Sequence, residues 1–412
     1  GEAYAYTADG DIYEIDDENL TTVYGYAWKL RDGSLALYED ESARKFVDSY
    51  SYENQIWNVE NVSADDTNAP AGAFSTNVGK EVVLVLDAAN KENVRAAFIE
   101  RTLTNETTPV HDFNWNLTNY RTLYGDATAA DIAEAMDDGY NVMIRGDYNM
   151  NSNIYTRNGK ILYVTGNLDT NNWRVTGDGT LWVGGNYTVD NGTTNDYINV
   201  PTQVGGNVSF TNATVDINAN LYVQDGDVTA NASGNVVNVQ SSADVYIYDG
   251  NGNGVGGDMN GNVLNVYGHV EAVDYNFNII NIYSNTTLVA SGNVNIGSAL
   301  NVGDATRVGA AEIAGSVTGS GTLTVTNGSL EVDGTIYPAV VVESKGSLTA
   351  YDVNSTLTAE SGASIDLVVE KPAEIGTAPA GSYNFDVALE SGTTVAANTT
   401  ATFNGAVDAS QG

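Results

Sequence analysis

From about residue 140 to 370 the chain alternates hydrophobic and polar positions with a period of two, interrupted by Gly, Asn and Asp. Apolar-x-apolar pairs recur at Leu162/Val164, Leu181/Val183, Leu221/Val223, Val237/Val239, Leu264/Val266, Ile280/Ile282, Leu300/Val302 and Leu323/Val325. Most successive pairs lie about 16 to 27 residues apart. Around them the chain repeats a short phrase: "LYVTGNL" at Leu162, "LWVGGNYTV" at Leu181 and "TQVGGNVSF" at Thr202. Further on the phrase becomes "ESKGSL", "ESGASI" and "ESGTTV", starting at Glu343, Glu360 and Glu390.

A unit of this length, holding two or three short strands and tight turns, predicts one rung of a β-solenoid. A lone rung has no core. Stacked rungs bury their inward Val, Leu and Ile against like residues above and below. About a dozen rungs at roughly 4.8 Å each give a rod near 60 Å long. Gly supplies corners with positive φ, and Asn tolerates them and stacks in ladders. An array of β-sandwiches is the competing reading, and the repeats are too short for it. The fold class expected is therefore all-β: a parallel β-helix with a short capping helix and an N-terminal mixed, mainly β domain.

The stretch "GDATAADIAEAMDDGYNVMIRGDYNM", Gly125–Met150, marks the start of the coil. Thr128 and Asp131 form a capping box. Ile132, Ala135 and Met136 share one helical face, and Gly139 is a natural stop. The pattern predicts a helix over about 128–138, lying as a lid on the exposed end of the core. Residues 1–125 form the N-terminal domain, 126–370 the solenoid, and 371–412 C-terminal strands that either add a last rung or dock elsewhere. Within the N-terminal part, "AYAYTADGDIYEI", "GSLALYED" and "KEVVLVLDAA" read as strands, and "KENVRAAFIER" (Lys91–Arg101) reads as a helix.

Charge changes the picture of partners. The formal net charge is −37, although only 17% of residues are charged. Residues 175–412 contain no bases except Arg307, Lys345 and Lys371. Such a surface repels nucleic acid and anionic membranes and suits divalent cations or salty surroundings. There is no cysteine, hence no disulfide framework and no thiolate chemistry. No apolar run approaches the roughly 20 residues needed to span a bilayer. The start "GEAYAY" reads as a mature end left by signal-peptide cleavage.

Candidate chemistry is sparse. The two histidines, His111 and His269, lack metal-ligand spacing, and no nucleophile elbow, zinc-protease motif or phosphate loop is present. Asp225/Asp227 and Glu331/Asp333 are spaced like paired carboxylates but stand beside turn glycines, so no enzyme is expected. In "YDGNGNGVGGDMNGN", Asp249, Asn251 and Asn253 match the opening of a calcium loop. The twelfth position is Asn260 rather than Glu, and Asp258 is the substitute ligand. Asp9 and Asp11 form a weaker second candidate. Asn-x-Ser/Thr triplets, among them those at Asn186, Asn191, Asn207, Asn212, Asn231, Asn285 and Asn354, offer glycan sites in an organism that glycosylates its surface.

The acidic, cysteine-free repeats, the "ATAADIAEAMDDGYNVMIRGD" passage and the "ESGASI" turns resemble microbial (archaeal or bacterial) cell-surface β-solenoid proteins: surface-layer subunits, sheath proteins, filament subunits and large adhesins. The resemblance covers about residues 126–395. It implies a structural subunit of a self-assembling extracellular layer, sheath or filament, with the chain itself as its main partner. It also implies a cell-surface location and contact with surface glycans. A monomeric glycan-binding rod using Trp173, Trp182 and Tyr187 is the alternative, and a β-helix polysaccharide lyase or glycosidase a third reading.

Overall fold

The computed structural model describes residues 4–6, 12–14, 20–29, 35–39, 46–50, 59–60, 78–87, 94–104, 111, 113–192, 194–248, 250, 255–285, 287–369, 371–378, 380–395 and 400–410. The chain divides into two compact units, Gly1–Thr107 and Thr108–Gly412.

The first unit is built on a six-stranded sheet. Its order is Phe46–Tyr50, Leu35–Tyr38, Leu20–Lys29, Val78–Asp87, Val94–Thr104 and Val59–Glu60. All neighbours are antiparallel except the last pair. Tyr4–Tyr6 and Ile12–Glu14 form a separate hairpin-like pair. The expected helix over Lys91–Arg101 is instead the strand Val94–Thr104. Its residues are tolerable in a helix, but pairing along Val78–Asp87 and burial of Val94 and Ala97 override local preference.

The second unit is the expected coil. It winds as about 14 turns of a parallel β-solenoid over residues 120–408. Through the middle of the coil each turn contributes to three parallel sheets. In one turn, Thr180–Val183, Tyr187–Val189 and Asn195–Ile198 pair with Thr202–Val204, Val208–Phe210 and Thr214–Ile217 of the next. Residues from Lys371 onward continue the winding: Ala373–Ala378 pairs with Val387–Val395, and Gly381–Tyr383 with Ala401–Phe403.

Inward positions are those the alternation picks out. Leu162, Leu181, Leu221, Leu264, Ile280, Leu300 and Leu323 are fully buried in one continuous core. Because parallel pairing sets like residues above like, each apolar column is packed along its whole length.

The start of the coil is closed by the helix Ala129–Asp137. Thr128 is its N-cap and Asp131 completes the capping box. Ile132, Ala135 and Met136 are buried in the same core as Val142 and Ile144. Gly139 ends the helix with φ +90°, a conformation costly for any residue with a Cβ.

Candidate functional site

The repeated phrase around Gly-Asn makes a corner. In "LWVGGNYTV", Leu181 and Val183 face inward from one sheet, Gly184 to Asn186 turn the chain, and Tyr187 and Val189 face inward from the next. At this corner each side-chain oxygen accepts the backbone N–H of the matching residue one rung later. Asp147 accepts from Asn167 at 2.8 Å, Asn167 from Asn186 at 2.8 Å, Asn186 from Asn207 at 2.9 Å, and Asn207 from Asp227 at 2.8 Å. The series runs on through Asp258, Asp274, Asn293, Ser316 and Thr335. The glycine before the asparagine leaves room for this bond. A Cβ on Gly185 would lie 2.6 Å from Asn167 Oδ1, and one on Gly206 2.5 Å from Asn186 Oδ1.

Asp258, expected as a calcium ligand, belongs to this ladder. Its N–H donates to Asp227 Oδ1 at 2.9 Å, and its own Oδ1 accepts the N–H of Asp274 at 3.2 Å. Desolvation raises its carboxyl above the ordinary range, and the negative charges of Asp274 and Asp227 add to the rise. The other expected ligands, Asp249, Asn251 and Asn253, lie outside the described residues, as do Asp9 and Asp11. Among the described residues no three His, Asp or Glu side chains are grouped to hold a metal. Of the carboxylate pairs, Asp227 is a ladder member, and Glu331 sits in register between Glu312 and Thr349 on an outer sheet face.

A second polar device holds the corner after Tyr187–Val189. Asp196 is fully buried and accepts N–H bonds from Asn191 (2.9 Å), Thr211 (2.7 Å) and Asn212 (2.8 Å), and one from Asn212 Nδ2 (2.6 Å). Asn191 Nδ2 donates to Trp173 O at 2.6 Å. Two triplet asparagines thus have their amides committed inside the fold, whereas Asn231, Asn285 and Asn354 are exposed.

The aromatic residues are distributed differently from the sugar-binding expectation. Tyr187 points into the core, and burial pushes its phenol up. Trp182 packs edge-on against Tyr163 and Trp115. Only Trp173, 37% exposed, faces solvent substantially. A strap that the sequence reading missed covers this outer face. His111 stacks on Tyr222 with ring centroids 4.1 Å apart, and its Nε2 lies 3.0 Å from Gln203 Oε1. Phe113 meets Tyr248 edge-on, and Trp115 Nε1 donates to Gln224 Oε1 at 2.9 Å. The alternation of His111, Phe113 and Trp115 was the available signal. His269 pairs with the fully buried Glu271, Nε2 to Oε1 at 2.6 Å.

The far end of the coil contrasts with the helix-covered start. At the start, Arg121 pairs with Asp138 and Arg157 with Asp137, and Tyr148 donates its hydroxyl to Ala127 O at 2.9 Å. At the far end, Ala401–Phe403 and Val407–Asp408 pair with the preceding rung on one edge. Among the described residues their other edge has no partner strand. Val395 is 50% exposed there and Val407 45%. A groove of about 200 Å³ nearby is lined by Asp366, Lys371 and Asp386. The Lys371 ammonium donates to the carbonyls of Val353 and Ser355, which gives it a structural task.

Among the described residues no helix is long and apolar enough to cross a membrane. No family model, curated protein or solved structure matches the chain.

Proposed function

We propose that this chain is a structural subunit of a self-assembling extracellular layer, sheath or filament on a microbial cell surface. The carrying observation is the stacked coil itself: about 14 parallel rungs share one continuous core, and each rung is held by strand edges that a rung of another copy can extend. An open edge is a template for another strand, and a head-to-tail contact that repeats without closing builds filaments. The strong negative charge favours assembly in salt or with divalent cations bridging acidic faces, calcium being the cation of choice for carboxylate-rich surfaces.

The test is sedimentation and negative-stain imaging of the purified protein at rising concentration, with calcium and with chelator. End-to-end particles that lengthen with concentration are expected, and Val407→Asp is expected to shorten them. A strict monomer at high concentration in calcium and salt overturns the reading. The glycan-binding alternative keeps Trp173 as its one solvent-facing ring of the three.

A further inference from the structure

One face of the coil differs from the rest. The sheet that begins at Asn195–Ile198 continues through Thr214–Ile217, Val236–Val239, Val263–Val266, the segments 279–282, 299–302, 322–325 and 339–342 of longer strands, and Leu357–Ala359. Two outward columns run along it. In one, Val236, Val263 and Ile279 stand in register, followed by Ala299. In the other, Asn238, Asn265, Asn281 and Asn301 form an amide ladder, each Nδ2 donating to the preceding Oδ1 at 2.8 to 2.9 Å. Asp216 Oδ1 accepts from Asn238 and ends the ladder.

From Val236 to Thr358 the outward residues of this sheet carry no charge over seven successive rungs. That is a strip about 29 Å long at ~4.8 Å per rung. It is bounded by Asp216 at one end and Glu374 at the other. The neighbouring sheet face, by contrast, carries Glu312, Glu331 and Asp366 outward. In a chain of net charge −37, two copies repel each other wherever acidic faces meet. The neutral strip is where that repulsion is least. Its half-buried valines and isoleucine offer apolar area. Its amides, already aligned one per rung, have unused donors and acceptors pointing outward at the spacing of an identical strip.

We infer that this strip is a lateral contact with a second copy of the chain, two coils lying face to face across a two-fold axis. Four residues wide, about 13 Å, it covers about 380 Å², so a pair buries about 750 Å², less than an interface that is stable on its own. Such a contact is weak for one pair and effective when coils are already joined end to end. The inference deepens the assembly reading, because end contacts lengthen a rod and this face pairs rods. It can be tested separately.

Sedimentation velocity at rising protein concentration, in low and high salt, reads the pairing. Side-by-side pairs are expected to grow as salt screens the acidic surface. The double variant Asn265→Asp with Asn281→Asp, and independently Val263→Glu, are expected to weaken pairing by about tenfold or more. Ser329→Asp, on another sheet, is expected to leave it unchanged. Circular dichroism checks that each variant is folded. Wild-type rods that stay single in high salt at every concentration overturn the inference, as do folded variants that pair like wild type. Rod length is the separate readout for the end contact: if pairs form but never lengthen, the end-to-end reading fails and the lateral contact stands.

Discussion

Asn186 lends its side-chain oxygen to the backbone N–H of Asn207, one turn further along the coil, at 2.9 Å. The bond does at a corner what strand pairing does within the sheets: it gives an otherwise unpaired N–H a partner. Replacing Asn186 with Ala leaves that N–H to water and costs about 1 kcal/mol. Gly185→Ala is expected to cost more, because its methyl would collide with Asn167 Oδ1. Urea unfolding of both variants checks the order; equal losses, or a milder effect of Gly185→Ala, would count against this account of the phrase.

Where the ladder carries three aspartates in succession, Asp227, Asp258 and Asp274, stability is predicted to depend on pH. The carboxyl of Asp258 is raised in the folded state. A raised carboxyl binds its proton more tightly folded than unfolded. Its contribution is therefore favourable below the ordinary carboxylate pKa and is lost as pH climbs through the raised value. Asp258→Asn keeps the acceptor oxygen and removes the charge. It is expected to stabilise the coil at pH 7 by about 0.5 kcal/mol, the group being partly solvated, and to remove the fall in stability that Asp258 contributes as pH rises through its raised value. Melting temperatures from pH 3 to 8 provide the comparison.

Asp196 is held by four N–H donors in a fully buried site. Asp196→Ala strands those donors and is expected to destabilise by about 2–4 kcal/mol. Chemical denaturation is the measurement, and a loss below about 0.5 kcal/mol would mean the corner repacks around the gap.

The strap is held by side chains rather than strand pairing. Trp115→Ala is thus expected to free residues 111–117 without unwinding the rungs beneath, at about 1–3 kcal/mol of local stability. Hydrogen exchange should rise in the strap alone. Simultaneous loss of protection in Thr180–Val183 and Leu221–Val223 would show instead that strap and coil unfold as one.

If the chain is expressed in a host that modifies Asn-x-Ser/Thr, glycans are expected at exposed Asn231, Asn285 and Asn354. They are not expected at Asn191 or Asn212, whose amides are used inside the fold. Peptide mapping by mass spectrometry reads this directly.

Much of the coil was legible because its physics is periodic. The pairs from Leu162/Val164 to Leu323/Val325 all face inward, and Thr128, Asp131 and Gly139 bound the helix as capping chemistry requires. What escaped was non-periodic. Whether Val94–Thr104 is strand or helix depends on the neighbour it finds, Val78–Asp87, which local propensity does not encode. The strap depends on which outward residues, Tyr222 and Gln203, lie beneath His111 more than ninety positions away. Asp258 reads as a calcium ligand from spacing alone, yet its register beside Asp274 makes its Oδ1 the acceptor of that residue's N–H. The neutral strip becomes visible only once the rungs are aligned.

Asp227 and Asp258 are neighbours across one turn although 31 positions separate them, while Asp258 and Asp274, also one turn apart, are separated by 16. Extra residues between the first pair are therefore accommodated at a corner without disturbing the alignment on either side. Such a place is a natural docking bay for foreign sequence. A peptide epitope or enzyme spliced between Tyr248 and Val255, which face each other in an antiparallel bridge, would be carried by an intact coil, and in an assembled array it would be displayed once per copy.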